Sequence, residues 1–441
     1  MEDQLTPIIQ EKILASTEAG LPVLTRRDAR VPEIAGKAKV VIGMRRAGKT
    51  SFLHQQRAAL IAAGRTPERL VYFNFEDERL AGLEAGQLRL IPETHLRLFP
   101  QATTEPVTLF LDEIQTVSGW ETFARRLLDE GGCELWLSGS SAKLLSREIA
   151  TAMRGRAWEV VIHPFSFREW LRHHGHEIPE AVSRLTQRRA VLLDQQFAQY
   201  LESGGFPEAQ GLTTGERRHL LQGYVDVLML RDVIERHHVG NVTALRWMVR
   251  RLLGNPAGLF SITKFEADLK SQGIAAGRET LYEMLDHLED AFLLQAVPIA
   301  SDSEKRRQVN PRKVYPVDPA LGPVFDRSNK ANTGHALEVA VHNELMRRQA
   351  EVNYVKTKSG YEVDFLSQEA DGGRTLIQVC ASIDDPDTLQ REVRALVAAA
   401  EEHPAGRLLI LTAASRLPFP AVPDSIEVLP VWQWMLEAGA C

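Results

Sequence analysis

The sequence predicts an α/β fold in which a parallel β-sheet is covered by helices on both faces. Continuous apolar runs alternate with helical patterns over the first third of the chain, which is typical of strands buried on both sides. The first of these runs ends at a glycine-rich loop that leads into a helix. The chain has 441 residues, a length that corresponds to about three domains. We therefore expect this sheet to form one domain of several.

Composition and charge argue against several classes of protein. The chain is 44% hydrophobic and 25% charged, as ordinary globular proteins are. Lys and Arg number 52 against 58 Asp and Glu, and the net charge of −6 gives no global sign of a nucleic-acid binder. The three scattered cysteines lack the C-x-x-C spacing of zinc sites and suit a reducing compartment. No apolar run approaches the about 18 residues of a membrane span, so we expect a cytoplasmic protein with no membrane partner.

Five segments of the N-terminal region have the apolar, β-branched pattern of buried strands. They are residues 37–43, 70–75, 107–111, 134–138 and 157–162. The helical patterns between them cover residues 49–63, 82–98 and 120–130. This alternation predicts a core domain at residues 31–163, which follows an N-terminal helical segment at residues 1–30.

The loop at residues 43–50 matches the pattern G-x-x-x-x-G-K-[ST], with a strand before it and a helix after it. Glycines let such a loop curl so that its N–H groups face phosphate oxygens, and the positive end of the following helix adds to the attraction. We expect Lys49 to neutralise the β- and γ-phosphates and the Thr50 hydroxyl to bind Mg²⁺. The nucleotide-binding residues predicted from this Walker A motif are Gly43, Met44, Arg45, Arg46, Ala47, Gly48, Lys49, Thr50 and Ser51. ATP and Mg²⁺ are thus the predicted cofactors.

A second motif supplies the acidic half of the site. The predicted strand at residues 107–111 runs directly into Asp112 and Glu113. We expect Asp112 to hold the Mg²⁺ shell and Glu113 to polarise a water molecule against the γ-phosphate. An apolar strand followed by two acids is common by itself, but together with a complete phosphate-binding loop it indicates a Walker B motif. The sequence therefore predicts ATP hydrolysis, with Lys49 and Glu113 among the catalytic residues.

Two further features of the core domain each have two interpretations. Ser138 and Ser140 follow the fourth strand, where ATPases often place a polar sensor of the γ-phosphate, but they equally suit a plain turn that caps a helix. Arg156 suits an arginine finger, which stabilises transition-state charge from a neighbouring subunit. It also suits an ordinary surface position. A finger that acts between subunits requires an oligomer.

The rest of the chain is predicted to form three more domains. Residues 164–240 have a helical pattern and suit a lid on the core domain. Residues 241–325 contain three helices followed by two strands, which is the order of a winged helix. Residues 326–441 begin with a helix and continue with strands and a second helix.

The predicted wing is a polar hairpin with five basic residues and one acid. The basic residues, which are the candidate DNA contacts, are Lys305, Arg306, Arg307, Arg312 and Lys313. A basic wing can follow a phosphate backbone without reading the base sequence. The third helix, at residues 278–291, carries five acids that disfavour base reading in the major groove. The alternative is a solvated hairpin that protects a sheet edge from aggregation.

Motifs along the chain resemble, in order, those of a prokaryotic AAA-type ATPase family. They are residues 44–46 (MRR), 111–115 (LDEIQ), 119–121 (GWE), 137–141 (LSGSS), 155–156 (GR), 164–169 (PFSFRE), 204–208 (GGFPE) and 231–235 (RDVIE). Members of that family carry an AAA core, a winged helix and a C-terminal uncharacterised domain related to PD-(D/E)XK nucleases. The resemblance implies an AAA+ ring or switch that hydrolyses ATP, and it favours Arg156 as the finger. Because an arginine that acts in trans requires an oligomer, we expect a homo-oligomer in the form of a hexameric ring. It also implies a restriction-endonuclease-like α/β fold for the last domain.

The last domain departs from the nuclease pattern at one position. Such nucleases hold Mg²⁺ with acids on a helix and a strand, and a lysine in an [E/Q]-x-K motif on the next strand activates or positions water. The first three positions of the pattern are occupied by Glu338, Asp364 and Gln378. Cys380 stands in the place of the lysine, and a thiol offers no fixed positive charge. We therefore expect a degenerate nuclease fold, with an active site that uses Lys356 or Lys358 as the alternative.

Three functions fit these features. The leading hypothesis is an ATP-driven motor that binds and remodels or translocates on DNA, duplex or branched, as helicases and branch-migration enzymes do, mainly through backbone contacts. The second is a regulatory ATPase switch that acts on protein partners, as in signalling or toxin–antitoxin systems. The acidic third helix and the net charge of −6 favour this second hypothesis. The third is an ATP-gated nuclease.

Overall fold

The computed structural model of the protein describes residues 2–18, 20–101, 106–139, 153, 155–179, 182–326, 333–413 and 421–437. The chain forms two compact units. The first consists of Met1–His163 with Asp290–Phe292, and the second of Pro164–Glu289 with Leu293–Cys441.

The first unit is built on a five-stranded sheet in which every pair of neighbouring strands is parallel. The strands, in spatial order β2-β3-β4-β1-β5, are β1 (Ala38–Ile42), β2 (Leu70–Asn74), β3 (Val107–Asp112), β4 (Cys133–Ser138) and β5 (Ala157–Val161). All six residues of the interior strand β3 are buried, as expected for a sheet covered on both faces. The predicted α/β fold with a parallel sheet is confirmed.

Within the described residues of the first unit, four α-helices lie outside the sheet. They are α1 (Glu2–Glu18), α2 (Lys49–Ala62), α3 (Leu90–Leu98) and α4 (Trp120–Glu130). The single helix predicted over residues 82–98 is instead a 3₁₀-helix, Ala85–Arg89, followed by α3. Pro92 explains the break, because proline lacks an N–H and is tolerated only in the first turn of a helix. Helix α1 joins the core of this unit through Ile9 and Ile13, both fully buried.

The second unit begins with a helical region and continues with helices that are separated by strands. Its helices are α5 (Phe167–His173), α6 (Gln187–Ser203), α7 (Thr214–Leu228), a π-helical segment (Met229–Ile234), α8 (Glu235–His237), α9 (Val242–Leu253), α10 (Ile262–Ser271), α11 (Arg278–Asp290), α12 (Glu304–Val309), α13 (Leu321–Phe325), α14 (Thr333–Arg347), α15 (Pro386–Glu402) and α16 (Val431–Glu437).

A three-stranded antiparallel sheet follows helices α9 to α11. Its strands, in the order β6-β8-β7, are β6 (Leu259–Phe260), β7 (Leu294–Val297) and β8 (Arg312–Pro316). The polar hairpin predicted between β7 and β8 is wrong, since this connection contains helix α12. Ser303 caps that helix by accepting a hydrogen bond from the N–H of Arg306, and the residues after it have high helix propensity.

The C-terminal part of the second unit contains a mixed five-stranded sheet. Its strands, in the order β13-β12-β11-β10-β9, are β9 (Glu351–Lys356), β10 (Glu362–Gln368), β11 (Arg374–Cys380), β12 (Arg407–Thr412) and β13 (Ile426–Pro430). Successive residues of β11 point to different cores: Leu376 packs with residues of α15, and Ile377 packs with residues of α14. Each face of this sheet is therefore covered by a helix. None of the helices in the described ranges is long and apolar enough to cross a membrane.

Gly43 provides a test of how the phosphate-binding loop is fixed to the sheet. It has a φ of +144°, and a Cβ atom at this position would collide with the backbone oxygen of Ile162. We expect Gly43→Ala to lower the free energy of unfolding well beyond the about 1–2 kcal/mol of left-handed backbone strain alone. Gly64→Ala is the matched control, because Gly64 has a φ of +94° but open space around it. Equal unfolding free energies for the two variants in urea titrations would contradict this account.

Candidate functional site

The loop between β1 and α2 has the conformation that a phosphate-binding loop requires. Gly43, Arg46 and Gly48 all have positive φ values, and Gly48 is the N-cap of α2. These left-handed residues curl the chain, so that the unpaired N–H groups at the start of α2 lie at the mouth of the loop. Met44 and Ala47, within the loop, are buried. The local geometry thus provides an anion site made of backbone N–H groups.

Lys49 is held inside this loop. Its ammonium donates hydrogen bonds to the backbone oxygens of Gly43 at 3.1 Å and Met44 at 3.2 Å, and the residue is 5% exposed. A buried cation held by backbone carbonyls in this loop is well placed to exchange them for phosphate oxygens. The position agrees with the phosphate-binding role predicted for Lys49.

The two predicted Mg²⁺ ligands contact one another. The hydroxyl of Thr50 donates to Oδ2 of Asp112 at 2.8 Å. Tyr72, on the neighbouring strand β2, donates to the same oxygen at 2.7 Å, and Ser138 donates to Oδ1. Asp112 is fully buried, so these three hydroxyls supply the hydrogen bonds that a buried carboxylate needs. Carboxylate and hydroxyl oxygens are also the donor atoms that Mg²⁺ prefers, and the residues present therefore fit the ion.

Tyr72 was not among the residues that the sequence predicted. Burial and the nearby Asp112 carboxylate raise the pKa of its phenol well above the ordinary value, which keeps it a neutral hydrogen-bond donor. The only signal in the sequence is a tyrosine within an apolar strand, and tyrosine is common in such strands.

Glu113 lies at a strained turn directly after β3. Its φ of 56° is left-handed, a conformation that costs a residue other than glycine about 1–3 kcal/mol and is frequent at active sites. Its backbone N–H donates to the Ser138 hydroxyl at 3.1 Å, and its carboxylate accepts from the side chain of Gln115. Burial raises the pKa of the Glu113 carboxyl, while Lys49 and the Gln115 hydrogen bond act in the opposite direction.

The two remaining predictions for the core domain are the polar sensor and the arginine finger. Ser138 contacts both acids of the site, whereas Ser140 lies outside the described residues. The exposed guanidinium of Arg156 forms an ion pair with Asp129 of α4 in the same chain. A residue that acts on a neighbouring subunit must lie at the surface, and the finger role of Arg156 stays a prediction.

Arg27 is a second contributor that the sequence analysis missed. It lies in a segment after α1 that is neither helix nor strand, although a helical segment was predicted up to residue 30. Its buried guanidinium donates to the backbone oxygen of Ala47 at 2.8 Å and also to that of His163. The backbone of Arg27 is itself held by both ends of the Gln55 amide. Arg27 thus braces the phosphate-binding loop from outside the motif, and no local pattern marks it.

A second cluster of charged residues lies in the second unit. Glu338 on α14 and Asp364 on β10 come together as predicted, and the residue that joins them is Lys313 of β8. Its ammonium also contacts Glu362, and the side chain is almost completely buried. The prediction that Lys313 contacts DNA is therefore wrong, because its positive charge is already used by three carboxylates. Burial lowers the pKa of Lys313, but the carboxylates outweigh this effect and raise it above the ordinary value.

Neighbouring groups donate hydrogen bonds to the carboxylates of this cluster. Tyr315 donates to Oε1 of Glu338 at 2.7 Å, and the N–H of Val379 donates to Oδ2 of Asp364 at 2.9 Å. Burial and Asp364 raise the pKa of Glu338 to about 8, against the opposing effect of Lys313. Gln378, on β11, is buried. The thiol of Cys380 donates to the backbone oxygen of Ser382. The positive charge of the cluster is that of Lys313, which lies on a strand of another sheet.

The other four predicted DNA contacts remain closer to the surface. Lys305 and Arg306 on α12 are exposed. Arg307 is partly buried and lies 3.9 Å from both Glu304 and Glu351. Arg312, at the start of β8, is partly buried. Two of the five basic residues are thus fully available to a phosphate backbone.

Comparison with known proteins agrees with the geometry of the first unit. An AAA domain family matches residues 35–171, and a domain of unknown function (DUF8612) matches residues 194–330. The first match spans the parallel sheet and its phosphate-binding loop, and it confirms the AAA-type core.

Two relatives extend over most of the chain. An uncharacterized protein of Methanocaldococcus jannaschii is 32% identical over 97% of this chain and 95% of its own length. An uncharacterized protein of Haemophilus influenzae is 30% identical over 76% of this chain and 80% of its own length. Among solved structures, a Walker-type ATPase of Pyrococcus abyssi superposes with a TM-score of 0.39 at 14% identity, over 72% of this chain and 94% of that one.

Proposed function

The chain belongs to the same family as the uncharacterized Methanocaldococcus jannaschii protein, and we propose that it is a Mg²⁺-dependent ATP hydrolase of AAA+ type. In this proposal it acts on DNA as a homo-oligomeric ring. The observation that carries the hydrolase is the hydrogen bond between Thr50 and Asp112. It joins the phosphate-binding loop to the acidic strand end, and these are the two halves of a P-loop ATPase site.

The residues around this hydrogen bond have distinct roles in the proposed reaction. The N–H groups at the start of α2 hold the phosphates, and Lys49 moves from the backbone oxygens of the loop to phosphate oxygens. Thr50 and Asp112 would hold Mg²⁺, which would supply positive charge to offset that of the nucleotide phosphates. Glu113 accepts a proton from the attacking water, and Ser138 fixes its position through the backbone N–H.

The proposal that the protein acts on DNA rests on the second unit. Helices α9 to α11 and the antiparallel sheet occur in the order of a winged helix. Lys305 and Arg306 project from the connection between its last two strands, at the position of a wing. Exposed basic residues at a wing suit contacts with the phosphate backbone, which are independent of base sequence.

A groove in the second unit favours a second candidate, a switch that acts on a protein partner. This cavity of about 1030 Å³ is lined by residues of the π-helical segment and α9, among them Leu230 and Trp247. These two side chains are 48% and 43% exposed. Large apolar side chains that are exposed in a concave surface often mark a site for a protein partner.

Glu113→Gln is the first test of the hydrolase. The amide keeps the size of the side chain but cannot accept the proton, so we expect ATP binding to persist while the turnover number falls by about 10²–10⁴. ATP binding and phosphate release measured on the same preparation separate the two steps. Lys49→Ala should lose binding as well, and Glu130→Gln, an exposed acid on α4, is the control. Unchanged turnover in Glu113→Gln would rule out its role as the base.

The dependence of turnover on pH gives a second test. Burial raises the pKa of Glu113. As the pH is lowered, its carboxylate should therefore become protonated, and turnover should fall, at a higher pH than for an ordinary carboxylate. The Gln115 hydrogen bond favours the ionised form. Gln115→Leu should therefore move the acidic limb of the kcat profile to higher pH, while Gln272→Leu, at an exposed position of the second unit, leaves it in place. A limb that moves to lower pH in Gln115→Leu would contradict the assignment.

DNA binding is tested at α12. We expect duplex or branched DNA to stimulate ATP turnover, with an affinity that falls steeply as salt concentration rises. Lys305→Glu with Arg306→Glu should weaken binding by a similar factor for all DNA sequences. Arg374→Glu with Arg394→Glu, both at exposed positions, is the charge-matched control. If no form of DNA changes turnover while Trp247→Ala abolishes binding of a protein partner, the second candidate replaces the first.

A further inference from the structure

The groove that the π-helical segment and α9 line is basic as well as apolar. Leu230 and Trp247 are its large exposed apolar side chains. Asp226 is the single acid among the described residues that line it. Its guanidinium groups are those of Arg218, Arg246, Arg250 and Arg251. With four positive charges and one negative charge, the groove is complementary to a surface that is acidic and partly apolar.

Three of these arginines form a basic strip along one side of α9. Arg246, Arg250 and Arg251 fall within about 140° of the helix circumference, together with Trp247. All three arginines are exposed, and none forms an ion pair with another described residue. Arg246 and Arg250 are four residues apart, and like charges at this spacing destabilise a helix. An acidic partner would remove this repulsion.

Another part of the groove has an uncommon backbone conformation. The segment Met229–Ile234 is a π-helix, a form that is rare and frequently lies at functional sites. Met229 and Val233 of this segment are buried, whereas Leu230 is 48% exposed. An exposed leucine in a rare backbone conformation, at the edge of a groove, indicates a surface that a partner covers.

Helix α11 carries a surface of the opposite charge. Glu279, Tyr282, Glu283 and Asp286 are all exposed, and their spacing of three and four residues places them on one face of the helix. None of these three acids forms an ion pair with another described residue. The ring of Tyr282 is 38% exposed among them. This acidic face therefore combines three carboxylates with one aromatic side chain.

The unpaired charges of α11 favour a second copy of the chain over nucleic acid as the occupant of the groove. Arginines beside an exposed tryptophan also suit single-stranded DNA, whose bases stack on aromatic rings. DNA would leave the acidic face without a partner, because carboxylates repel phosphates. In a second copy the acidic face is itself the counterpart of the basic strip. One contact then accounts for the unpaired charges of both surfaces.

We propose that the groove binds the acidic face of α11 from a second copy of this chain, and that this contact, repeated, joins the copies head to tail. The inference rests on the homo-oligomer of the proposed function and identifies the surfaces that join its copies. Three carboxylates meet the basic strip, and Tyr282 packs against Leu230 and Trp247. Because the two surfaces differ, the contact is heterologous, and such contacts produce a ring when the rotation between copies closes.

Sedimentation of the full-length chain with ATP tests the proposal through reversal of charge. Arg250→Glu with Arg251→Glu, and separately Glu279→Lys with Glu283→Lys, should each weaken assembly at least about tenfold and leave single chains. The first variant keeps its acidic face and the second keeps its groove, so an equal mixture should form dimers of one chain of each and nothing larger. A chain with all four changes has exchanged its charges and should regain the wild-type mass.

A matched control and a neutral variant complete the test. Lys264→Glu with Lys270→Glu, at exposed positions of α10, makes the same change of charge outside the groove and should keep the wild-type mass. Trp247→Ala changes no charge and should also weaken assembly, so the test does not depend on the folding of any one variant. Thermal unfolding of each variant checks that it is folded.

Four results would overturn the proposal. Groove variants that keep the wild-type mass would do so while the proposed ring stands, whereas a wild-type chain that stays single with ATP would remove that ring as well. A wild-type chain that stops at two copies would exclude the head-to-tail arrangement. Groove variants that keep the wild-type mass but lose affinity for single-stranded DNA would show that the groove binds nucleic acid instead.

Discussion

The fully buried carboxylate of Asp112 is the constraint on which the first unit depends. An ionised carboxylate without partners would cost several kcal/mol in such a place, so three hydroxyls must reach it together. Thr50 comes from α2, Tyr72 from β2 and Ser138 from β4. Strand order and register therefore have to be correct before this one group can be satisfied, and the same contacts that satisfy it place the two halves of the nucleotide site side by side.

The second unit meets the same requirement with the opposite arrangement of charge. There the buried group at the centre is a cation, Lys313, and the partners that converge on it are carboxylates from α14 and β10. Removal of either centre would leave its partners buried and unpaired, which costs more than the net value of the contact itself. Both units thus use a buried charge to fix how their elements meet.

Prediction from the sequence succeeded where the determining interactions are local. Period and composition located the five parallel strands, and the spacing within residues 43–50 located the loop, because the conformations of neighbouring residues decide both. Prediction failed where residues distant in sequence decide the outcome. The basic neighbours of Lys313 indicated a surface position, yet its partners lie 25 and 51 residues further along the chain. Arg27 and Tyr72 escaped detection for the same reason, whereas the cap of α12, Ser303, was a local signal that the sequence analysis overlooked.

The difference between the two sites follows from what each is built to bind. A phosphate is bound by backbone N–H groups, and such groups converge only when consecutive residues curl, so the nucleotide site has a motif. A cation is bound by side-chain oxygens, which any elements of the fold can supply. In the second cluster the positive charge is supplied by Lys313, which lies on a strand of another sheet than Asp364. For a site built from side chains, the position of charge in space is therefore the property to compare among relatives.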